Sequence, residues 1–188
     1  MQQAMTERNN KMHPHKFTLW VAIGSIVMMF AGFTSAYIVK SNQANWQPVQ
    51  MPVIFYASTA LILLSSLTMQ LALRSFKERE MARYRTMMAV TLLLGISFIV
   101  VQSLGFAELW ATNITFRESI AGSFFYIITG MHALHVLGGV IALLVIFFRV
   151  YHRNTRYYSV VPVEVMSTYW HFVDILWLYL FVFFMLVS

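Results

Sequence analysis

The chain has 188 residues, of which 59% are apolar and only 11% charged, against roughly 25% charged in soluble domains. A single water-soluble core of that length cannot hide so much apolar surface, whereas a bilayer-spanning helix can be apolar all round and needs only about 20 such residues. Cysteine is absent, which excludes disulfides, thiolate metal sites and thioether-linked haem. The formal charge of +6 is gathered at the ends of apolar runs, so it reads as a membrane topology signal and no nucleic-acid partner is expected.

The first sixteen or so residues are polar, and the apolar run after Lys16 exceeds the roughly 7 to 15 residues of a signal-peptide core. No cleavable targeting segment is therefore expected. Five spans are predicted in chain order, over residues 17–39, 53–73, 86–110, 121–148 and 160–187. Their loops are too short for a soluble domain, so residues 1–188 are expected to form one all-α integral membrane domain, a five-transmembrane-helix bundle. Between spans two and three, Lys77, Glu78, Arg79 and Glu80 predict helical extensions into water with charge pairs three and four residues apart. No internal repeat is visible, which weighs against an inverted-repeat transporter.

Lys and Arg set the expected orientation, because short loops rich in them stay in the cytoplasm. Arg8, Lys11 and Lys16 precede span one, Arg74 to Arg85 join spans two and three, and Arg149, Arg153 and Arg156 join spans four and five. Only Lys40 and Arg117 fall on the other side. The N-terminus is thus predicted in the cytoplasm and the C-terminus in the periplasm. Trp20, Trp46, Trp110, Tyr157 and Tyr158 lie near predicted span ends, where amphipathic rings favour the headgroup level.

An ionisable group inside a span is costly unless paired or hydrated, so each marks a candidate site. Span five carries Glu164, His171 and Asp174 at spacings of seven and three, on one helical stripe with Ser167. Span four carries Tyr126, Thr129, His132 and His135 in three-residue steps, flanked by Gly122, Gly130, Gly138 and Gly139, and small residues let backbones approach closely. Spans four and five are therefore expected to dock, with His132 or His135 hydrogen-bonded to carboxylates or backbone carbonyls across the contact. Three rival readings remain open on the residues alone. His132 and His135 share one helix and cannot sit trans across an iron, although His171 could oppose one of them, as in a small membrane cytochrome b. His132, His135, His171 and Asp174 would suit a divalent metal, as in a metal carrier. A Glu and His chain could also relay protons.

Read as strings, the motifs point further. Tyr169-Trp170-His171-Phe172-Val173-Asp174-Ile175-Leu176-Trp177 resembles the last-helix signature of subunit III of haem-copper cytochrome oxidases, with Glu164 seven residues before the histidine as in that family. Gly122-Ser123-Phe124-Phe125 and Thr129-Gly130-Met131-His132-Ala133-Leu134-His135-Val136 resemble a second family segment. Ser25 to Gly32 in span one and Leu63-Leu64-Ser65-Ser66 in span two continue the likeness over nearly the whole chain. The sequence resembles the short five-helix bacterial form, which lacks the two-helix arm of the longer members' lipid-holding cleft. Ile26 stands where the family usually places a buried glutamate, and Gly105 where many relatives have another, while Gln102 is kept.

The resemblance implies a multi-pass protein of the bacterial inner membrane, an accessory subunit of a proton-pumping terminal oxidase that reduces O2 in aerobic respiration. It implies no catalytic residue and no haem, copper or other metal in this chain, those cofactors residing in partner subunits, and it leaves room for a bound phospholipid. The partners it implies are the catalytic subunit I, other oxidase subunits, membrane lipids and, at the widest, a respiratory supercomplex. Proton uptake into the catalytic subunit and its protection during turnover are the implied roles. Cytochrome c is favoured over quinol as electron donor. The residues it marks, as buried polar or motif positions, are Gln102, Thr129, His132, His135, Glu164, Trp170, His171, Asp174 and Trp177.

Overall fold

A computed structural model describes residues 14–42, 46, 52–111, 120–152 and 160–187. Among the described residues five α-helices run in chain order: α1 (Pro14–Ser41), α2 (Ile54–Lys77), α3 (Met81–Ala111), α4 (Ile120–His152) and α5 (Val161–Val187). Each includes a stretch long and apolar enough to cross a membrane. Pro14 opens α1, where its missing N–H is one that no helix could satisfy. The helices overrun the predicted spans by up to about a turn and a half, because backbone hydrogen bonding continues into the polar layer after the apolar run stops.

The α2–α3 hairpin shows how that overrun ends. The N–H of Glu80 donates to the carbonyl of Ser75 at 3.0 Å and that of Arg79 to Phe76 at 3.2 Å, which closes the last turn of α2. This closure needs a left-handed residue, and Arg79 supplies it at φ 61°. Of the charge pairs expected here, Arg83 and Glu80 meet at 3.5 Å.

The bundle is organised around α5, half of whose most apolar window is buried, against 17% for α1. It packs on α1, α2 and α4; α4 in turn packs on α1 and α3, and α2 on α3. Among the described residues the backbones of α1 and α2 do not approach each other closely. The core joins Phe30 and Tyr37 of α1, Phe55 and Met69 of α2, Met88 and Phe98 of α3, Phe125 and Val140 of α4, and Trp170 and Trp177 of α5. Outward positions such as Met28, Leu134 and Leu186 are well exposed and apolar, as a surface solvated by lipid requires. Trp46 packs edge-on against Tyr37 with ring centroids 4.8 Å apart.

The expectation that glycines on the fourth span let helices close in is met at Gly139. A Cβ there would lie 3.1 Å from Trp170 Cζ3, while one at Gly130 or Gly138 would meet nothing within 4 Å. The tighter approach is on α3, where a Cβ at Gly95 would lie 2.9 Å from Trp170 Cη2. Arg8, Lys11, Arg117, Arg153, Arg156, Tyr157 and Tyr158 lie outside the described residues.

Candidate functional site

Trp170 and Trp177 stand two turns apart on α5 and are both buried. Trp170 Nε1 donates to Ser65 Oγ at 3.1 Å, and Trp177 Nε1 donates to Thr59 Oγ1 at 3.0 Å. Each hydroxyl passes its own proton to its helix, Ser65 to the Ile62 carbonyl and Thr59 to the Phe55 carbonyl, both at 2.8 Å. A hydroxyl can accept while it donates, so all four polar groups are satisfied without water. The paired tryptophans thus fasten α5 to α2, and their rings fill the space toward α3 and α4.

His132 is fully buried on α4. Its ring stacks on Trp177 with centroids 5.0 Å apart and planes 28° apart, and Phe98 closes it edge-on at 6.2 Å. Neither imidazole nitrogen has a hydrogen-bond partner among the described residues, and the same holds for both amide atoms of Gln102 and both carboxyl oxygens of Asp174. Thr129 bonds back to the Phe125 carbonyl of its own helix at 2.5 Å.

His135 and His171 are placed differently. His135 Nδ1 donates to the Met131 carbonyl at 2.7 Å, and its ring meets Phe30 edge-on. His171 turns toward α2: Ser66 Oγ lies 2.7 Å from Nδ1, and Nε2 lies 3.1 Å from Gln70 Oε1. An Nε2–H tautomer satisfies both contacts, since the amide oxygen only accepts.

The docking expected between spans four and five is present, but its chemistry differs from the expectation. One bond crosses that contact through a histidine residue, and it uses the backbone: Tyr169 Oη donates to the His135 carbonyl at 3.0 Å. His132 reaches α5 by stacking, and Asp174 bonds to no histidine. The stripe of α5 splits by rotation, Asp174 pointing into the bundle while His171 faces its edge beside α2. Among the described residues no three His, Asp or Glu side chains lie close enough to hold a metal ion.

Glu164 closes one end of the bundle. Its Oε2 lies 2.9 Å from Lys16 Nζ of α1, and its Oε1 lies 3.0 Å from Lys77 Nζ of α2. Thr34 of α1 and Tyr179 of α5 share a further hydrogen bond of 3.0 Å nearer the other end. At the Glu164 end, a cavity of about 700 Å³ opens between α1, α4 and α5, lined by Thr18, Leu19, Gly138, Ala142, Arg149 and Tyr169 among others.

The residues that sequence reasoning passed over are on α2. Thr59 and Gln70 supply partners of Trp177 and His171, while Ser65 and Ser66, which the sequence offers only as part of a motif, supply those of Trp170 and of the other His171 nitrogen. Their signal was a row of polar side chains within an otherwise apolar span.

Residues 9–188 match the family model described as Cytochrome c oxidase subunit III. The chain is 31% identical over 185 residues to cytochrome c oxidase subunit 3 of Bacillus sp. (strain PS3), covering 95% of this chain and 89% of that protein. It is 33% identical over 172 residues to probable cytochrome c oxidase subunit 3 of Nocardia farcinica (strain IFM 10152), covering 86% of this chain and 85% of the relative. A cytochrome c oxidase subunit 3 of Aedes aegypti is 34% identical over 139 residues, which span 73% of this chain but 50% of that longer protein. With five apolar helices in place of a soluble core and a family match that runs nearly end to end, the chain belongs to the cytochrome c oxidase subunit III family.

Proposed function

We propose that this chain works as a non-catalytic, cofactor-free accessory subunit of a cytochrome c oxidase, forming one membrane domain that packs against the catalytic subunit I and steadies it during turnover. The chain is a multi-pass plasma-membrane protein, and its relatives are named for the cytochrome c enzyme, which disfavours the quinol alternative. One observation carries the reading: several polar groups of the last span are engaged in fastening it to α2 and α4. The two indoles bond to Ser65 and Thr59, His171 to Ser66 and Gln70, and His132 lies flat on Trp177. Haem and copper belong, on this reading, to the partner subunits. A histidine-ligated cytochrome b or metal carrier would need imidazole nitrogens converging on one point, and these histidines face three different surroundings.

The cationic ends of α1, α2 and α4 support a cytoplasmic N-terminus and a C-terminus on the periplasmic side. The cavity between α1, α4 and α5 suits a phospholipid, with Arg149 placed for the phosphate and an apolar lining for an acyl chain. Proton uptake into the catalytic subunit, a supercomplex and the other subunits follow from family membership alone.

The test is purification of the tagged chain in mild detergent from membranes that respire. The expected preparation contains the catalytic subunit and its haem and copper, and the chain stripped from it shows no Soret band and no stoichiometric metal. Haem or metal retained by the stripped chain, or purification without any oxidase subunit, would overturn the proposal.

A further inference from the structure

α1 is held unevenly along its length. From Phe30 onward, Phe30, Thr34 and Tyr37 are buried in the bundle, Thr34 is bonded to Tyr179, and Tyr37 meets the rings of Trp46, Phe124, Phe183 and Phe184. Between Pro14 and Met29, Ile23 is the one buried side chain among the described residues. This weakly held part borders the cavity, giving Thr18, Leu19 and Ala22 to a lining completed by Ala142 of α4 and by Val165 and Met166 of α5, among others. Segments with few buried contacts are the ones that open first.

A weak point in the helix separates the two parts. Ser25 Oγ donates back to the Val21 carbonyl at 3.0 Å, a bond that competes with the helix ladder and often bends it. Gly24 stands beside it, and helix kinks concentrate at such Gly and Ser pairs. A Cβ at Gly24 would meet nothing within 4 Å, so close packing does not account for the glycine. At the outer end of the same part, Lys16 Nζ lies 2.9 Å from Glu164 Oε2. Releasing Lys16 strands no charge, because both side chains are partly exposed and Glu164 Oε1 keeps Lys77 at 3.0 Å.

We propose that residues 14–23 form a strap beside the cavity, hinged at Gly24-Ser25 and latched by the Lys16–Glu164 ion pair, whose release opens the cavity sideways. The far half of α1 stays in the bundle through Phe30, Thr34 and Tyr37 while the near half swings. The strap sets access whether or not the occupant is the phospholipid suggested above, so its test is separate from that of the accessory-subunit reading. The latch is a charge pair in the polar layer, which makes the opening sensitive to ionic strength.

The chain contains no cysteine, so Met166→Cys, which lines the cavity at 4% exposure, and Met88→Cys, fully buried on α3, each introduce its single thiol. The rate of labelling by a membrane-permeant maleimide is measured in native membranes. Lys16→Ala should speed labelling of Met166→Cys by about 1.5- to 5-fold, the worth of one partly exposed ion pair, whereas Lys77→Ala should not speed it. Raising the salt from about 0.01 to 0.1 M should speed it in the parent and not in Lys16→Ala. Gly24→Ala, which stiffens the helix without touching a neighbour, should slow it by about two- to fivefold. Met88→Cys should respond to none of these changes. An unchanged rate at Met166→Cys in Lys16→Ala or in Gly24→Ala overturns the proposal. So does a salt-independent parent, a rise in Lys77→Ala equal to that in Lys16→Ala, or an equal rise at Met88→Cys, which would mean general loosening of the bundle.

Discussion

His132 lies against Trp177 face to face, ring centroids 5.0 Å apart, yet neither of its nitrogens is hydrogen-bonded within the described protein. An imidazole in that setting contributes shape and an aromatic face, while its polar atoms carry a desolvation cost.

His132→Phe should therefore keep the stack and remove two unpartnered polar atoms, leaving the thermal stability of the purified complex within about 1 kcal/mol of wild type or above it. His132→Ala, which empties the space between Trp177 and Phe98, should cost about 3 to 5 kcal/mol by analogy with large aromatic truncations. Haem and copper per assembled catalytic subunit should be unchanged in both. A drop in metal content in complexes that still assemble would mean that these nitrogens bind something after all.

Trp170 is held by contacts on three sides. Its indole N–H is fixed to Ser65, and its ring edge lies where a Cβ on Gly95 or Gly139 would sit, at 2.9 and 3.1 Å. Gly95→Ala should thus push the ring off its hydrogen bond and destabilise the bundle by about 1 to 3 kcal/mol, the usual cost of overpacking. Gly130→Ala and Gly24→Ala, with nothing within 4 Å, serve as controls and should be close to neutral. Thermal denaturation of the three variants followed by tryptophan fluorescence checks the ranking; equal midpoints would show that α3 and α5 are not packed as described.

Position 105, where the resemblance leads one to expect a glutamate, gives a sharper case. A Cβ on Gly105 would lie 2.9 Å from Ile54 Cγ2 and 3.0 Å from Phe55 Cε2, and Phe55 is completely buried beside Trp177. Gly105→Glu should fail to accumulate in membranes unless Phe55 is also reduced, and Gly105→Glu with Phe55→Ala should recover part of the level. Full accumulation of the single variant, measured by quantitative immunoblot, would contradict the close α2–α3 packing.

These cases also show how much could be read before the structure. Five helices and their approximate limits were legible because a span needs only length and apolarity, and the resemblance marked Trp170, His171, Asp174 and Trp177 by type. Their partners were not legible. In a soluble helix the apolar stripe reveals which face is buried, but in lipid the outward face is equally apolar, so Leu134 outside and Leu143 inside look alike. The rotational setting of α2 was therefore hidden, and with it the fact that Ser65, Ser66 and Gln70 face α5. Serines that bond to their own helix also give no sign in the sequence that they accept a second bond from an indole. The turn at Arg79 was hidden for another reason, since αL geometry usually announces itself by glycine or asparagine.

Glu164 offers the last test, because it ties α5 to both α1 and α2 through Lys16 and Lys77. Lys16, Glu164 and Lys77 are partly exposed, with side chains at 43%, 27% and 52%, so each pair contributes only about 0.2 to 1 kcal/mol. Glu164→Gln keeps the size and one acceptor but leaves two ammonium groups facing a neutral amide, and should destabilise the bundle by about 1 kcal/mol at low salt. Screening weakens the wild-type pairs as salt rises, the Debye length falling from roughly 30 Å at 0.01 M to 10 Å at 0.1 M. The difference between wild type and variant should accordingly shrink with added salt, whereas the difference caused by Gly95→Ala should not. Thermal inactivation at both ionic strengths separates the two, and a salt-independent gap for Glu164→Gln would show that the carboxylate acts through packing and not through charge.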